Sequence, residues 1–142
     1  MILLPGGCLS GLGGGIQTRE ILFQVHERAN DGYAIEIDIV YVHDEALARK
    51  LEAFSARSWF RQKQVLIASH AGALSVRQLE LPPGLLPKKI EVADRQRDAV
   101  ACFVFANYVA RGEHRLRLDR HREARIELGP KAIAVVDGPA GS

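Results

Sequence analysis

Ala34-Ile35-Glu36-Ile37-Asp38-Ile39-Val40-Tyr41-Val42 carries the clearest strand signal in the chain and decides its fold class. Successive side chains of an extended backbone point to opposite sides, so Ile35, Ile37, Ile39 and Tyr41 share one face while Glu36, Asp38, Val40 and Val42 share the other. Upstream, residues 20–26 repeat the pattern, with Ile21, Phe23 and Val25 alternating with Glu20, Leu22, Gln24 and His26. Between the two stretches, Glu27-Arg28-Ala29-Asn30-Asp31-Gly32 supplies a turn, because Asn, Asp and Gly tolerate left-handed backbone that other residues resist.

Downstream, Asp44 is placed to cap a helix running to about Phe54, since Leu47, Leu51 and Phe54 recur at helical spacing. Ser58 starts a second, shorter helical stretch through Val65, and residues 65–68 read equally as a helix end or a strand. Residues 73–81 alternate again through Leu74, Val76, Leu79 and Leu81, with an irregularity near Gln78 that suggests a bulge; Pro82-Pro83-Gly84 ends the run. A short strand is expected over 89–93. The run 99–109 is nearly all apolar and predicts a central strand covered on both faces, with Val100, Cys102, Val104 and Ala106 opposite Phe103 and Phe105. A hairpin is expected to pair 114–118 with 123–128 around Asp119-Arg120-His121-Arg122, and 133–136 adds a closing strand. About seven strands with a helical insertion after the second describe a mainly β fold, an antiparallel β-sandwich. The expected organisation is a truncated leader and flexible tether over 1–18, the sandwich over 19–138 and a disordered tail over 139–142.

Composition narrows the function classes. The chain has 142 residues, 47% of them hydrophobic and 25% charged, which suits one globular domain. The 19 basic residues are interleaved with 17 acidic ones for a net charge of +2, which gives nucleic acid little support. Arg111, Arg115, Arg117, Arg120, Arg122 and Arg125 are dense, but no aromatic residue lies between them to stack a base, and Glu113, Glu123 and Glu127 offer partners for a solvated face. His26, His43, His70, His114 and His121 show no tight metal-ligand spacing, so no metal and no cofactor is expected. Asp119 and His121 lack a glycine-framed nucleophile, and Gly11-Leu12-Gly13-Gly14-Gly15 lacks the Lys-Ser or Lys-Thr of a phosphate loop. Cys102, among apolar neighbours, is expected to be an inert thiol, and Trp59 and Phe60 to finish the core.

Cys8 divides Met1-Ile2-Leu3-Leu4-Pro5-Gly6-Gly7 from a glycine-rich stretch, the layout of a bacterial lipoprotein attachment site: small residues admit a signal peptidase, and glycines let an acylated cysteine reach a folded domain. A secretory leader needs a positive start and an apolar stretch of roughly 7 to 15 residues, and the segment before Cys8 is shorter and uncharged. Two readings stand side by side, a lipid anchor behind a truncated leader and an inert cysteine in a disordered N-terminus.

The order of elements resembles the outer-membrane lipoproteins of type VI secretion systems, the SciN/TssJ type. The resemblance rests on 34–43 as second strand, 44–69 as helical insertion bearing Trp59-Phe60, 74–84 as a strand ending in Pro-Gly, and Leu116-Arg117-Leu118-Asp119 near the end. It implies a transthyretin-like sandwich and no enzyme. It also implies acylation at Cys8, residence at the periplasmic face of the outer membrane, and binding to the periplasmic domain of a TssM-like inner-membrane protein. By the same analogy Glu27, Arg28, Ala29, Asn30, Asp31, Gly32 and Tyr33 would bear the partner contact. Another class of reading is a soluble β-sandwich ligand- or carbohydrate-binding module, with Trp59, Phe60 or Tyr108 lining a pocket; an exposed Trp59 would favour it.

Overall fold

A computed structural model describes residues 14–136. The described residues form eight strands, β1 (Glu20–Val25), β2 (Ile35–Val42), β3 (Leu74–Leu81), β4 (Lys88–Glu91), β5 (Ala101–Asn107), β6 (Arg115–Arg117), β7 (Glu123–Leu128) and β8 (Ile133–Val135), with helices α1 (Glu45–Glu52) and α2 (Ala56–Ser69) inserted between β2 and β3. One sheet has the order β4-β1-β7-β8 and the other β3-β2-β5-β6. The architecture is thus a β-sandwich with its helical insertion after the second strand.

The two faces of β2 explain the three layers. Ile35, Ile37, Ile39 and Tyr41 join Ile21, Phe23, Val104 and Ile126 in the core between the sheets. Val40 and Val42 face the other way and pack with Leu47, Leu51, Trp59 and Leu66 of the helices. β5 is buried on both faces as its apolar run predicts: Cys102, Val104 and Ala106 enter the inter-sheet core, while Phe103 and Phe105 lie under the helices. At about 25 cal/mol per Å² of apolar surface removed from water, this double burial makes β2 and β5 the centre of the fold's stability.

Asp44 caps α1 as expected, its Oδ2 accepting the Leu47 N–H at 2.8 Å. The cap of α2 is Ser55, three residues before the expected start, accepting the Ser58 N–H at 3.1 Å. Residues 65–68 are helical, since α2 continues to Ser69. The expected bulge at Gln78 is absent: β2 and β3 pair without interruption from Ile35 opposite Leu81 to Val42 opposite Leu74. The broken alternation has a different cause. Leu74 and Val76 pack under the helices, whereas Leu79 and Leu81 turn into the inter-sheet core.

The expected hairpin between 114–118 and 123–128 does not form. β6 pairs with β5, and β7 pairs with β8 and, in parallel, with β1, so residues 119–122 carry the chain from one sheet to the other. Leu118 is fully buried at this crossing, where its N–H donates to Cys102 O at 2.8 Å. Ile16 and Thr18, placed by the sequence in a tether, are buried; Ile16 belongs to the inter-sheet core and Thr18 Oγ1 donates to Leu118 O at 2.6 Å. Gln17 N–H donates to Asp119 O at 2.7 Å and Arg19 N–H to Arg122 O at 2.8 Å.

Candidate docking end

β1 enters from residues 16–19 at one end of the sandwich and leaves into residues 26–34 at the other. Six extended residues span about 20 Å, so an entry end and a loop end are well separated. At the loop end the segment after β1 folds into a tight left-handed turn, Ala29–Gly32, in which Asn30 and Asp31 adopt φ of 54° and 55°. These are the left-handed positions that the Asn-Asp-Gly sequence anticipates.

Asn30 is the keystone of this end. It is buried, its Oδ1 accepts the Val109 N–H at 2.8 Å, and its amide donates to Tyr33 O and Ala34 O, each at 3.3 Å. Its own N–H donates to Pro130 O at 3.0 Å, and Gly84 N–H donates to His26 O at 3.1 Å. Tyr108 Oη lies 2.8 Å from Gly129 O and 3.2 Å from Ala132 O. Burial raises the Tyr108 pKa above its ordinary value, so the phenol keeps the proton it donates. Three loops and the β7–β8 turn are therefore bonded into one rigid surface. Tyr33, Leu86 and Val109 each stand more than half exposed on it, at 66%, 80% and 55%.

Of the seven residues singled out in this loop, Glu27, Arg28, Asp31, Gly32 and Tyr33 face solvent. Ala29 and Asn30 point inward and hold the turn's shape. Cys8 lies outside the described residues.

The other candidates disperse. Trp59 has no exposed surface, stacks on Phe105 with ring centroids 5.2 Å apart, and donates its indole N–H to Asp38 Oδ2 at 2.8 Å. Lys63 Nζ reaches the same oxygen at 2.9 Å, so a fully buried carboxylate clamps α2 onto β2. Sequence alternation assigns Asp38 to the polar side of its strand without showing that helices cover that side. Arg115 and Arg117 are also structural. Arg115 donates to Phe54 O and pairs with Glu113, while Arg117 pairs with Glu52 at 2.8 Å and Asp119 at 2.9 Å and lies over Phe103. The Asp119 hydrogen bonds help hold the Arg117 pKa above its ordinary value. Cys102 is buried, and burial, assisted by Asp119, pushes its thiol pKa up and away from the nucleophilic range. Among the described residues no group of three or more His, Cys, Asp or Glu side chains is placed to hold a metal ion, and no helix is long and apolar enough to cross a membrane.

The architecture matches solved structures. The T6SS lipoprotein TssJ1 from Pseudomonas aeruginosa superposes with a TM-score of 0.58 at 21% identity, over 87% of this chain and 98% of that one. The fold is TssJ-like. Lip of Serratia marcescens, a membrane-bound component of the Type VI Secretion System, gives 0.60 at 18% identity over 85% of this chain and 99% of that one. A structure of the T6SS protein TssM C-terminal domain (869–1107) from EAEC gives 0.63 at 15% identity, over 84% of this chain and 100% of that one. No protein-family model and no curated protein matches the chain. The likeness to TssJ structures is thus one of fold.

Proposed function

We propose that this chain is a non-enzymatic structural lipoprotein of a type VI secretion system. In this reading Cys8 is acylated and holds the protein at the periplasmic face of the outer membrane, and the loop 27–33 docks the periplasmic domain of a TssM-like inner-membrane protein. The observation that carries it is the polarity of the TssJ-like fold: the N-terminal segment joins the sandwich at Ile16–Thr18, and the rigid, solvent-facing loop end lies at the opposite end of β1. An anchor at one end leaves the other free to meet a partner across the periplasm. Exposed polar and aromatic residues on a scaffold fixed by buried hydrogen bonds suit docking, because little loop entropy is lost on association.

The ligand-module alternative asks for a pocket lined by Trp59, Phe60 or Tyr108, which an exposed Trp59 would favour; Phe60 and Tyr108 do line a concavity, but Trp59 is buried on the inner face of α2. Two experiments test the proposal. Metabolic labelling with a fatty-acid analogue should mark the wild type and vanish in Cys8→Ser, and equal labelling of both would remove the anchor. The immobilised full chain should capture the purified periplasmic domain of the TssM-type protein, and absence of capture would remove the docking role.

A further inference from the structure

A concavity of about 550 Å³ opens at the loop end between the start of α2 and the β5–β6 loop. Arg57 and Arg61 reach it from the helix and Arg111 from the loop, and among the described residues no acidic side chain lines it. All three arginines are exposed, and none makes an ion pair among the described residues, in contrast to Arg115 and Arg117 nearby. Their placement works against the helix. Arg57 lies in the first turn of α2, where the macrodipole disfavours a cation and where no acidic residue stands. Arg57 and Arg61 are four residues apart, so like charges face each other along one side of the helix. Local rules broken together without structural compensation mark positions kept for another purpose.

The floor of the concavity is preformed. His114 stacks on Tyr108 with ring centroids 4.7 Å apart, and its Nε2 donates to Ala110 O at 2.8 Å. Gly112 has φ of 149°, and a Cβ there would meet the His114 ring at 2.9 Å, so the loop closes tightly over the imidazole. Phe60 supplies further apolar wall. Guanidinium groups around aromatic and alanine surface suit carboxylates carried on short aliphatic stems, as in a run of Glu or Asp side chains.

We infer that this concavity binds an acidic peptide segment of a protein partner and extends the docking surface of the loop 27–33. The two are physically continuous, since Val109, next to Tyr108 of the concavity floor, is held by Asn30 of the loop. The location favours protein over lipid headgroup, because the concavity lies at the end remote from where the N-terminal segment joins the fold. Assigning the acidic segment to the secretion partner rests on the docking reading above; the preference for carboxylates does not.

The test uses the isotope-labelled full chain and a synthetic hexaglutamate peptide, with inorganic phosphate and vesicles of anionic phospholipid as separate arms. The peptide should saturably shift the signals of Phe60, Tyr108 and His114, and bind more weakly as salt is raised. Arg57→Glu/Arg61→Glu should weaken peptide binding by about tenfold or more. The same variant should keep the melting temperature, since Arg57→Glu places an acid in the first turn of α2 while one like-charge i,i+4 pair replaces another. Arg28→Glu/Asp31→Arg should bind the peptide as the wild type does, so the carboxylate site stands or falls separately from partner docking. Peptide shifts elsewhere, undiminished binding by the arginine variant, or shifts produced by phosphate or vesicles while the peptide is silent would overturn the inference.

Discussion

The two ends of the sandwich are built from opposite materials. At the entry end, Ile16 is buried, Thr18 donates to Leu118 O, and Gln17 and Arg19 donate backbone N–H groups to the 119–122 crossing. At the loop end, left-handed Asp31, exposed Tyr33, Leu86 and Val109, and three arginines without an ion pair among the described residues meet solvent on a surface fixed from beneath by left-handed Asn30 and by Tyr108. The proposed anchoring at one end and docking at the other would use that division. The first end continues the core, and the second presents exposed polar, aromatic and charged groups on a turn that buried Asn30 holds in shape.

The largest effect expected is on the clamp that holds the helical layer, and with it the wall of the loop-end concavity. Lys63→Met should cost about 3–5 kcal/mol in denaturant unfolding, because it strands Asp38 without its ion-pair partner. Asp38→Asn/Lys63→Met should recover most of that loss while keeping an acceptor for the Trp59 indole. A single-mutant cost under about 1 kcal/mol would mean that the two ends share no dependence on the buried pair.

Next, Ile16→Ala should cost about 2–4 kcal/mol, as for a core side chain, and leave partner capture per folded molecule unchanged. Asn30→Ala should cost about 2–3 kcal/mol by orphaning the Val109 N–H and by putting Ala, which tolerates left-handed backbone less well than Asn, at φ of 54°. Unlike Ile16→Ala, it should also weaken capture, although Asn30 itself is buried. Equal behaviour of the two variants in the capture assay would erase the distinction between the ends.

Alkali is expected to act on both ends together. Burial raises the pKa values of Cys102 and Tyr41 toward the entry end and of Tyr108 at the loop end, above ordinary values of 9.0, 10.0 and 10.0. The native state therefore holds protons that the unfolded chain releases, so stability is fully present below the unfolded-state values and falls as pH climbs past about 9. Unfolding free energies measured from pH 7 to 11 should decline, and Tyr108→Phe should reduce the slope; a flat profile would contradict the burial of these groups.

The smallest effect is on the surface of α2. Arg57→Glu should change stability by a few tenths of a kcal/mol up to about 1 kcal/mol, in the stabilising direction, while diminishing acidic-peptide binding.

Much of this architecture was legible because period-2 alternation reports burial directly. The stretch 34–42, the apolar run around Phe103 and Phe105, the Asp44 cap and the left-handed loop all read from residue types alone. Strand identity does not report strand partner. The segments around 115–117 and 123–128 look like a hairpin, yet they lie in different sheets because Leu118 and Asp119 are fixed at the crossing by Cys102. Asp38 misleads for a related reason, since a polar residue on an alternating strand reads as solvent-facing until a Lys from a distant helix is brought over it. The surface arginines were least legible. Arg57 and Arg61 show their i,i+4 spacing in sequence, but their convergence with Arg111 needs the fold.

The central claim, that docking belongs to the loop end, is tested most directly by titrating the full chain with the periplasmic domain of the TssM-type protein and comparing charge reversals at the two ends. Arg28→Glu/Asp31→Arg keeps net charge constant at the loop end, whereas Arg120→Glu/Arg122→Glu makes the chain more acidic at the entry end. Exposed charge changes shift stability by less than about half a kcal/mol, and Arg at the left-handed Asp31 position adds about 1 kcal/mol, so both variants should stay folded. The account predicts that the loop-end variant binds about tenfold or more weakly, with the loss greatest at low salt, while the entry-end variant stays within about twofold of wild type. Undiminished binding by the loop-end variant together with loss in the entry-end variant would contradict it.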